Sequence, residues 1–525
     1  MFRPRLIYYN DAHHFHAKRI EPPATIHMLQ WPVDEIAGTG VDLLVFGLGY
    51  GDVYFHQSKV GRVVGQEKDV WENYIDWRIM RMVEESWKLG TDQLREVIRR
   101  GREIGIKVFP SLKLNDPAKP GQERCGWLKW RRGTEVCIRE AGPTPGTEWC
   151  YDFSLAEVRQ DKLEMVREVL EDYEADGIEL DFMFRSQYFR QSEIDQNIPI
   201  MSEFVSDVRS LATEIGVRQN RQINVMARID DNRERNMASG LDVIAWLEAG
   251  SLDGVVGQEP QSFFNTQPKP RWISDAANNA GVSSYIRPPR RVYDERTAFP
   301  SIEMYRALSQ TLRNQGFSGL YLGYLPWPLS DEEYEVLREV AYPEVFHRRD
   351  KRYFIQPGDS DESQLPLPTD QQIPVVLKDG ETVVAKIFVA DDLEQAYSDR
   401  EMRTPILTLR FAFYCIEDDV EIRFNGRALP LDDCEISDER ALTMPVSLRN
   451  PISAPSGFSA HWFRFNLEPK EVVQGENIVE IKMKTMSKTA GFTRSLNGVE
   501  IFMRYKDFVR PEGLGTVRVG LRGGG

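Results

Sequence analysis

Cysteine is scarce: five residues in 525, an odd number, so a disulfide framework is not expected and reduced thiols are. Long apolar runs are missing too. No window approaches the roughly 18 unbroken apolar residues of a membrane-crossing helix. The first ten residues, MFRPRLIYYN, read as a strand rather than as a charged, apolar, small-residue export leader, and a cytoplasmic location is expected, or a secreted or periplasmic one if a leader was removed. Positive charge is in deficit. With 66 Lys and Arg against 81 Asp and Glu, the net charge is −15, which argues against nucleic acid or an anionic membrane as partner, since both reward basic surfaces. No G-x-G-x-x-G turn follows the first apolar run, which counts against a dinucleotide-binding open sheet. No H-E-x-x-H or paired C-x-x-C occurs, and Cys125, Cys137 and Cys150 are separated by 11 and 12 residues, matching no zinc pattern. No metal or other cofactor is expected. What is present is 41% hydrophobic and 11% aromatic residues, enough for large packed cores and incompatible with global disorder.

Eight short β-rich runs span residues 5 to 327, at 5–11, 41–49, 106–114, 176–184, 223–230, 252–259, 281–288 and 319–327. Helical patterns separate them. Ser154 to Glu157 has the form of a capping box, and Val158, Leu163, Val166, Val169, Leu170 and Tyr173 follow at near-helical spacing. Phe204, Val205, Val208, Leu211, Ala212 and Ile215 repeat the pattern and end at Gly216, suited to a left-handed stop. Eight strand-then-helix units with strands too apolar to have a wet face predict a (β/α)8 TIM barrel over residues 1–350. A Pro-, Ser- and charge-rich linker at 351–371 follows. From 372 to 510 the period becomes two, as where Val479, Ile481 and Met483 alternate with Glu480, Lys482 and Lys484, predicting an all-β sandwich. Residues 511–525 read as a loose tail.

In a parallel barrel, chemistry belongs at the carboxyl ends of the strands. Glu179 and Asp181 lie two apart on the fourth strand, hence on one side of it. Asp181, nearer the mouth, is the better catalytic candidate, and Glu179 a supporting carboxylate. The alternative is that both pair with Lys113 or Arg228 as a structural charge network. The sixth run stops at Gln258-Glu259-Pro260, which places Glu259 at the same mouth, unless it caps a helix or closes a loop salt bridge. Asp181 and Glu259 together would give the acid pair that glycosidic cleavage needs. Groups suited to a sugar's hydroxyl rim and C–H faces follow the strands: Asn10, Asp11, His13 and His14; Lys113, Asn115 and Asp116; Arg185, Gln187 and Tyr188; Arg228 and Asp230; Gln258; Arg287; Tyr324 and Trp327. Tyr324 and Trp327 would serve equally as barrel plugs. The His13-His14-Phe15-His16 run reads as hydrogen-bonding groups near substrate, because neighbours on an extended segment point opposite ways. The long loop at about 115–150 is expected to wall one side of the cleft.

The block YDFSLAEVRQDKLEMVREVLEDYEADGIELDFMF, then GLDVIAWLEAGSLDGVV and GFSGLYLGYLPW before DKRYF, resembles the glycosyl-hydrolase-like family 10 group of barrel proteins over residues 5–350. The resemblance implies a hydrolase barrel with an acid on strand four, matching Asp181. The same strand resembles the D-x-x-D-x-D-x-E pattern of chitinase-like barrels, but Met183 stands where the proton-donating Glu would be, which argues against substrate-assisted chitinase chemistry. VEIRFNGRAL and LEPKEVVQGENIVEIKM are similar to galactose-binding-like jelly-roll domains.

The expected function is therefore a glycoside hydrolase with an oligo- or polysaccharide substrate. Lys113, Arg185, Arg228 and Arg287 near the mouth of a chain of net charge −15 point to a sugar carrying carboxylate or sulfate. A metal-dependent sugar isomerase or a lyase on the same fold, and a non-catalytic carbohydrate-binding protein, are the rivals.

Overall fold

The computed structural model describes residues 2–66, 68–142, 145–259, 263–292, 299–357, 372–438 and 460–506. All eight expected barrel strands form: β1 (Leu6–Asn10), β2 (Leu43–Gly47), β3 (Lys107–Lys113), β4 (Gly177–Asp181), β5 (Asn224–Asp230), β6 (Gly254–Gln258), β7 (Ser283–Arg287) and β8 (Gly319–Gly323). They pair in parallel in chain order, and β8 returns to β1 to close the barrel. Every residue of β1, β2, β4 and β5 is buried, as expected of strands covered on both faces. Alternation sends Ile7, Tyr9, Leu43, Val45, Phe109, Met226, Val256, Tyr285 and Tyr321 inward, where they form a cluster of their own. Phe2 stacks on Phe109 with ring centroids 5.2 Å apart and closes the amino-terminal end.

Two helix-end expectations need correction. The helix Ala156–Glu171 starts where the spacing puts it, but Leu155 occupies its cap position. The Ser154 hydroxyl donates to Asp152 Oδ1 at 2.6 Å instead of closing a capping box. The helix Ile194–Gln219 runs past Gly216 and stops at Asn220, whose φ is +51°. Gly216 is there for space: a Cβ would lie 2.7 Å from the Arg221 carbonyl.

The carboxyl-terminal strands are β9 (Lys351–Ile355), β10 (Val375–Leu377), β11 (Thr382–Val389), β12 (Ile406–Ala412), β13 (Asp419–Phe424), β14 (Arg427–Leu429), β15 (Glu435–Asp438), β16 (Ala460–Asn466), β17 (Gly475–Thr485) and β18 (Arg494–Met503). One antiparallel sheet has the order β9-β18-β12-β16-β15, with β10 also on β18; the other has β11-β17-β13-β14. Their apolar faces share one core, in which Ile387, Ile422 and Ile481 meet Leu409, Phe463 and Ile501. Asn425 and Gly426, at φ of +47° and +84°, make the tight turn between β13 and β14 that an Asn-Gly pair favours. Lys351–Ile355, expected in the linker, instead pairs along β18. It also meets the barrel, where Phe354 N–H donates to Thr266 Oγ1 at 2.8 Å. Residues 358–371 of the expected linker and the expected tail lie outside the described residues. Among the described residues no helix is long and apolar enough to cross a membrane.

Candidate active site at the barrel mouth

The register of β3, β4 and β5 puts Lys113, Asp181 and Arg228 side by side. Arg228 is the hub. Its Nη2 lies 2.5 Å from Asp181 Oδ2 and its Nε 3.4 Å from Glu179 Oε1. Asp181 Oδ1 accepts the backbone N–H groups of Met183 and Phe184 at 2.8 and 3.0 Å. Both Asp181 oxygens are thus engaged as acceptors, the arrangement an anion needs. Glu179, one layer down and fully buried, accepts Ser111 Oγ at 2.7 Å and has the Tyr321 hydroxyl beside it. Burial pushes its carboxyl above the usual range, against the pull of Arg228 and with the push of Asp181. The expected alternative of a charge network with Arg228 is therefore real for both acids, and it coexists with a place at the mouth.

Across the mouth, Asp11 follows β1 and caps the short helix Ala12–Lys18 through Oδ1. Its Oδ2 accepts the Tyr324 hydroxyl at 2.8 Å and lies 3.3 Å from His14 Nδ1 and 3.6 Å from Lys113 Nζ. Burial alone would raise this carboxyl; Lys113, His14 and Tyr324 together hold it well below the carboxylate range. Tyr324 reaches Asp11 from a left-handed backbone, φ +55°, a strained conformation for a non-glycine residue of the kind that gathers at working sites. His13 stacks on Tyr50 at 4.2 Å, and burial pushes its imidazole down to about 4. Arg124, from the long loop after β3, lies over Tyr50 at 4.3 Å and Phe184 at 5.5 Å, so that loop does wall this side.

On the β5–β7 side, Gln258 Oε1 accepts both Arg228 Nη1 and Arg287 Nη1, each at 2.7 Å. Glu259 lies one residue beyond β6 and is ion-paired with Lys269. Beside it, next after β5, is Asp231, 3.1 Å from Arg235 Nη2; burial, then Glu259 and Asp230, push its carboxyl well above the usual range against the pull of Arg235 and Lys269. Asp181 and Glu259, expected as two acids across one mouth, each have partners of their own. Asp181 is tied to Arg228, and Glu259 to Lys269 and Asp231.

Asp11, His13, His14, Lys113, Arg228, Gln258, Arg287 and Tyr324 thus converge at or beside the mouth, and Arg185 stacks over Phe184 at its edge, 5.5 Å away. Five expected contact residues are used otherwise. Asn10 points outward to Glu35 at 3.4 Å, the opposite way from Tyr9. Asn115 spends its amide on the backbone of Tyr151 and Gln187. Tyr188 is buried against Phe153 and Phe182. Asp230 holds Arg235 at 2.8 and 2.7 Å. Trp327 packs on Arg19 and Trp31 beside the helices. Tyr9, Tyr50, Tyr321 and Asp231 were not expected; inward alternation with Ile7 was the available signal for Tyr9.

The histidine run is helical rather than extended, which brings the His13 and His14 rings to 5.1 Å. One ligand atom each from Asp11, His13 and His14 lies within 4.8 Å of the others, spacing compatible with a cation, although Lys113 already answers Asp11. The five cysteines are free thiols, as expected.

No protein-family model matches this chain. No curated protein matches it, so the likenesses to the glycosyl-hydrolase-like family 10 group and to galactose-binding-like jelly rolls rest on the quoted residues alone. Among solved structures it is similar to a cycloisomaltooligosaccharide glucanotransferase from Paenibacillus sp. complexed with cycloisomaltoheptaose, at 10% identity over 94% of this chain and 57% of that one, TM-score 0.37. It is similar to an α-galactosidase from Thermus thermophilus in complex with stachyose, at 16% identity over 65% of each chain, TM-score 0.38. A glycoside hydrolase domain from Bordetella bronchiseptica matches at 12% identity over 65% of this chain and 99% of that one, TM-score 0.39. This chain spans less than two thirds of the length of the first two. At such distances these likenesses carry no weight for the chemistry, which the side chains have to supply.

Proposed function

We propose that this chain is a glycoside hydrolase acting on an oligo- or polysaccharide at the carboxyl-terminal mouth of its barrel. The observation that carries the reading is the contrast between carboxyl groups at the ends of three successive strands. Asp181, the last residue of β4, is engaged only as an acceptor by Arg228 and two N–H groups. Asp231, after β5, has its carboxyl pushed well above the usual range by burial and by Glu259, after β6, against the pull of Arg235 and Lys269. Environments that push neighbouring carboxyls apart are how one site obtains both an anion and an acid at neutral pH. In this reading Asp181 is the nucleophile or the electrostatic stabiliser of the developing oxocarbenium ion. Asp231 is the acid toward the leaving oxygen, with Glu259 beside it. Glu179 shares Arg228 and positions it. Tyr9 and Tyr324 supply ring faces and Gln258 an amide for hydroxyl groups.

The test is a panel of neutral and acidic polysaccharides and chromogenic glycosides incubated with the full chain, reading new reducing ends. Release from at least one substrate class, unaffected by EDTA, is expected; no release from any of them contradicts the reading. A second reading, a metal-dependent sugar isomerase or lyase, is favoured by one observation, the Asp11, His13 and His14 cluster. It predicts activity that EDTA abolishes.

A further inference from the structure

We propose that Arg287 is an anion-recognition residue of the mouth, and that the sugar bound there carries a carboxylate or a sulfate ester within reach of its guanidinium. The inference rests on the mouth being a sugar site. Arg287 ends β7, and alternation with the fully buried Tyr285 turns it inward. It is half-buried among rings, with its guanidinium carbon 5.2 Å from the Tyr9 centroid, 5.4 Å from Tyr324 and 5.9 Å from Tyr321. Its one hydrogen-bond partner among the described residues is neutral, the Gln258 amide oxygen at 2.7 Å.

Three of the other cations here are answered by acids, while Arg185 at the edge donates to the Phe184 carbonyl. Arg228 has Asp181 and Glu179, Lys113 has Asp11, and Arg124 has Asp116 at 2.7 Å. Among the described residues no carboxylate lies within ion-pair distance of Arg287. A partly desolvated cation without a counter-ion is unfavourable. Ring faces return only a fraction of the lost hydration, and an amide oxygen already shared with Arg228 cannot neutralise it. The Arg228 fork cannot take a further anion without giving up Asp181, whereas Arg287 has Nε and Nη2 uncommitted, the edge that matches a carboxylate or sulfate bidentately.

The test is calorimetric binding of D-glucuronate, D-glucose 6-sulfate and D-glucose to the full chain and to Arg287→Gln and Arg287→Lys, with the unfolding midpoint of each variant measured alongside. At least one anionic sugar is expected to bind about tenfold or more tightly than glucose, and which one distinguishes carboxylate from sulfate. That preference should vanish in Arg287→Gln and persist in part in Arg287→Lys. Equal binding of all three sugars, binding of none, or a preference untouched in a folded Arg287→Gln protein would overturn the proposal. Turnover is not read. A chain that prefers the anionic sugar through Arg287 but cleaves nothing would overturn the hydrolase reading and leave this one standing. A chain that cleaves neutral polymers with Arg287→Gln unimpaired does the reverse.

Discussion

Replacing Arg228 by methionine is the perturbation whose consequences the structure fixes most tightly. Glu179 is 0% and Asp181 1% exposed, and the guanidinium is the cation that contacts both. Its removal leaves two buried carboxyls side by side with no other cation within ion-pair distance among the described residues. Breaking a buried pair from one side costs about 3–5 kcal/mol. The two acids will respond by holding a proton, so their folded pKa values rise above the unfolded ones. A raised folded pKa means stability that is present below the unfolded value near 4 and lost as pH rises. The penalty should therefore grow by up to about 1.4 kcal/mol per pH unit for each proton retained. Urea unfolding of wild type and Arg228→Met at pH 5 and pH 8 measures it directly. The expected gap is at least about 3 kcal/mol at pH 8 and clearly smaller at pH 5. Adding Glu179→Gln and Asp181→Asn to the same variant should restore most of the loss, because no charge is then stranded. A gap below about 1 kcal/mol, or one independent of pH, would refute the claim that Arg228 neutralises this pair.

Three further outcomes follow from the same contacts. Because Asp231 is pushed up by burial and by Glu259, activity should fall on the alkaline side as that proton is lost. Asp231→Asn should remove that limb from the pH–rate profile and lower turnover about 10²- to 10⁴-fold. His16 is buried and pushed down to about 4 from 6.5, so the stability its neutral form supports is complete above pH 6.5 and lost as pH falls toward 4. That is worth at most about 3 kcal/mol, and His16→Leu should flatten this part of the stability–pH curve. Asp11→Asn keeps a side chain able to cap the helix but removes the charge facing Lys113 and His14, whereas Asp11→Ala loses both. The alanine variant should be less stable than the asparagine one by about 1 kcal/mol in parallel denaturant titrations.

The barrel was legible because its evidence is repeated: eight short, largely apolar runs recur, with helical patterns between them. The sandwich strands were legible because one wet face makes the period exactly two. The mouth was harder to read because it turns on single residues at strand ends, where one position decides between inside and outside. Tyr9 faces in and Asn10 out; Gln258 joins the two arginines, while Glu259 after it turns to Lys269 and Asp231. Asn115 and Tyr188 have the chemistry of sugar contacts, and nothing local reveals that backbone groups and neighbouring rings already satisfy them. The histidine run misled for another reason: a seven-residue helix is too short to display a period, so an Asp cap was the cue to its conformation.

The most direct measurement of the central claim is turnover and affinity of Asp181→Asn on whichever oligosaccharide the wild-type chain cleaves, with folding verified by circular dichroism. Asparagine keeps the acceptor oxygen for Met183 and Phe184 but cannot be an anion. Turnover should fall by about 10³-fold or more while the dissociation constant for the sugar changes only a few-fold. Turnover within tenfold of wild type in a correctly folded variant would contradict a role for this carboxylate in breaking the glycosidic bond.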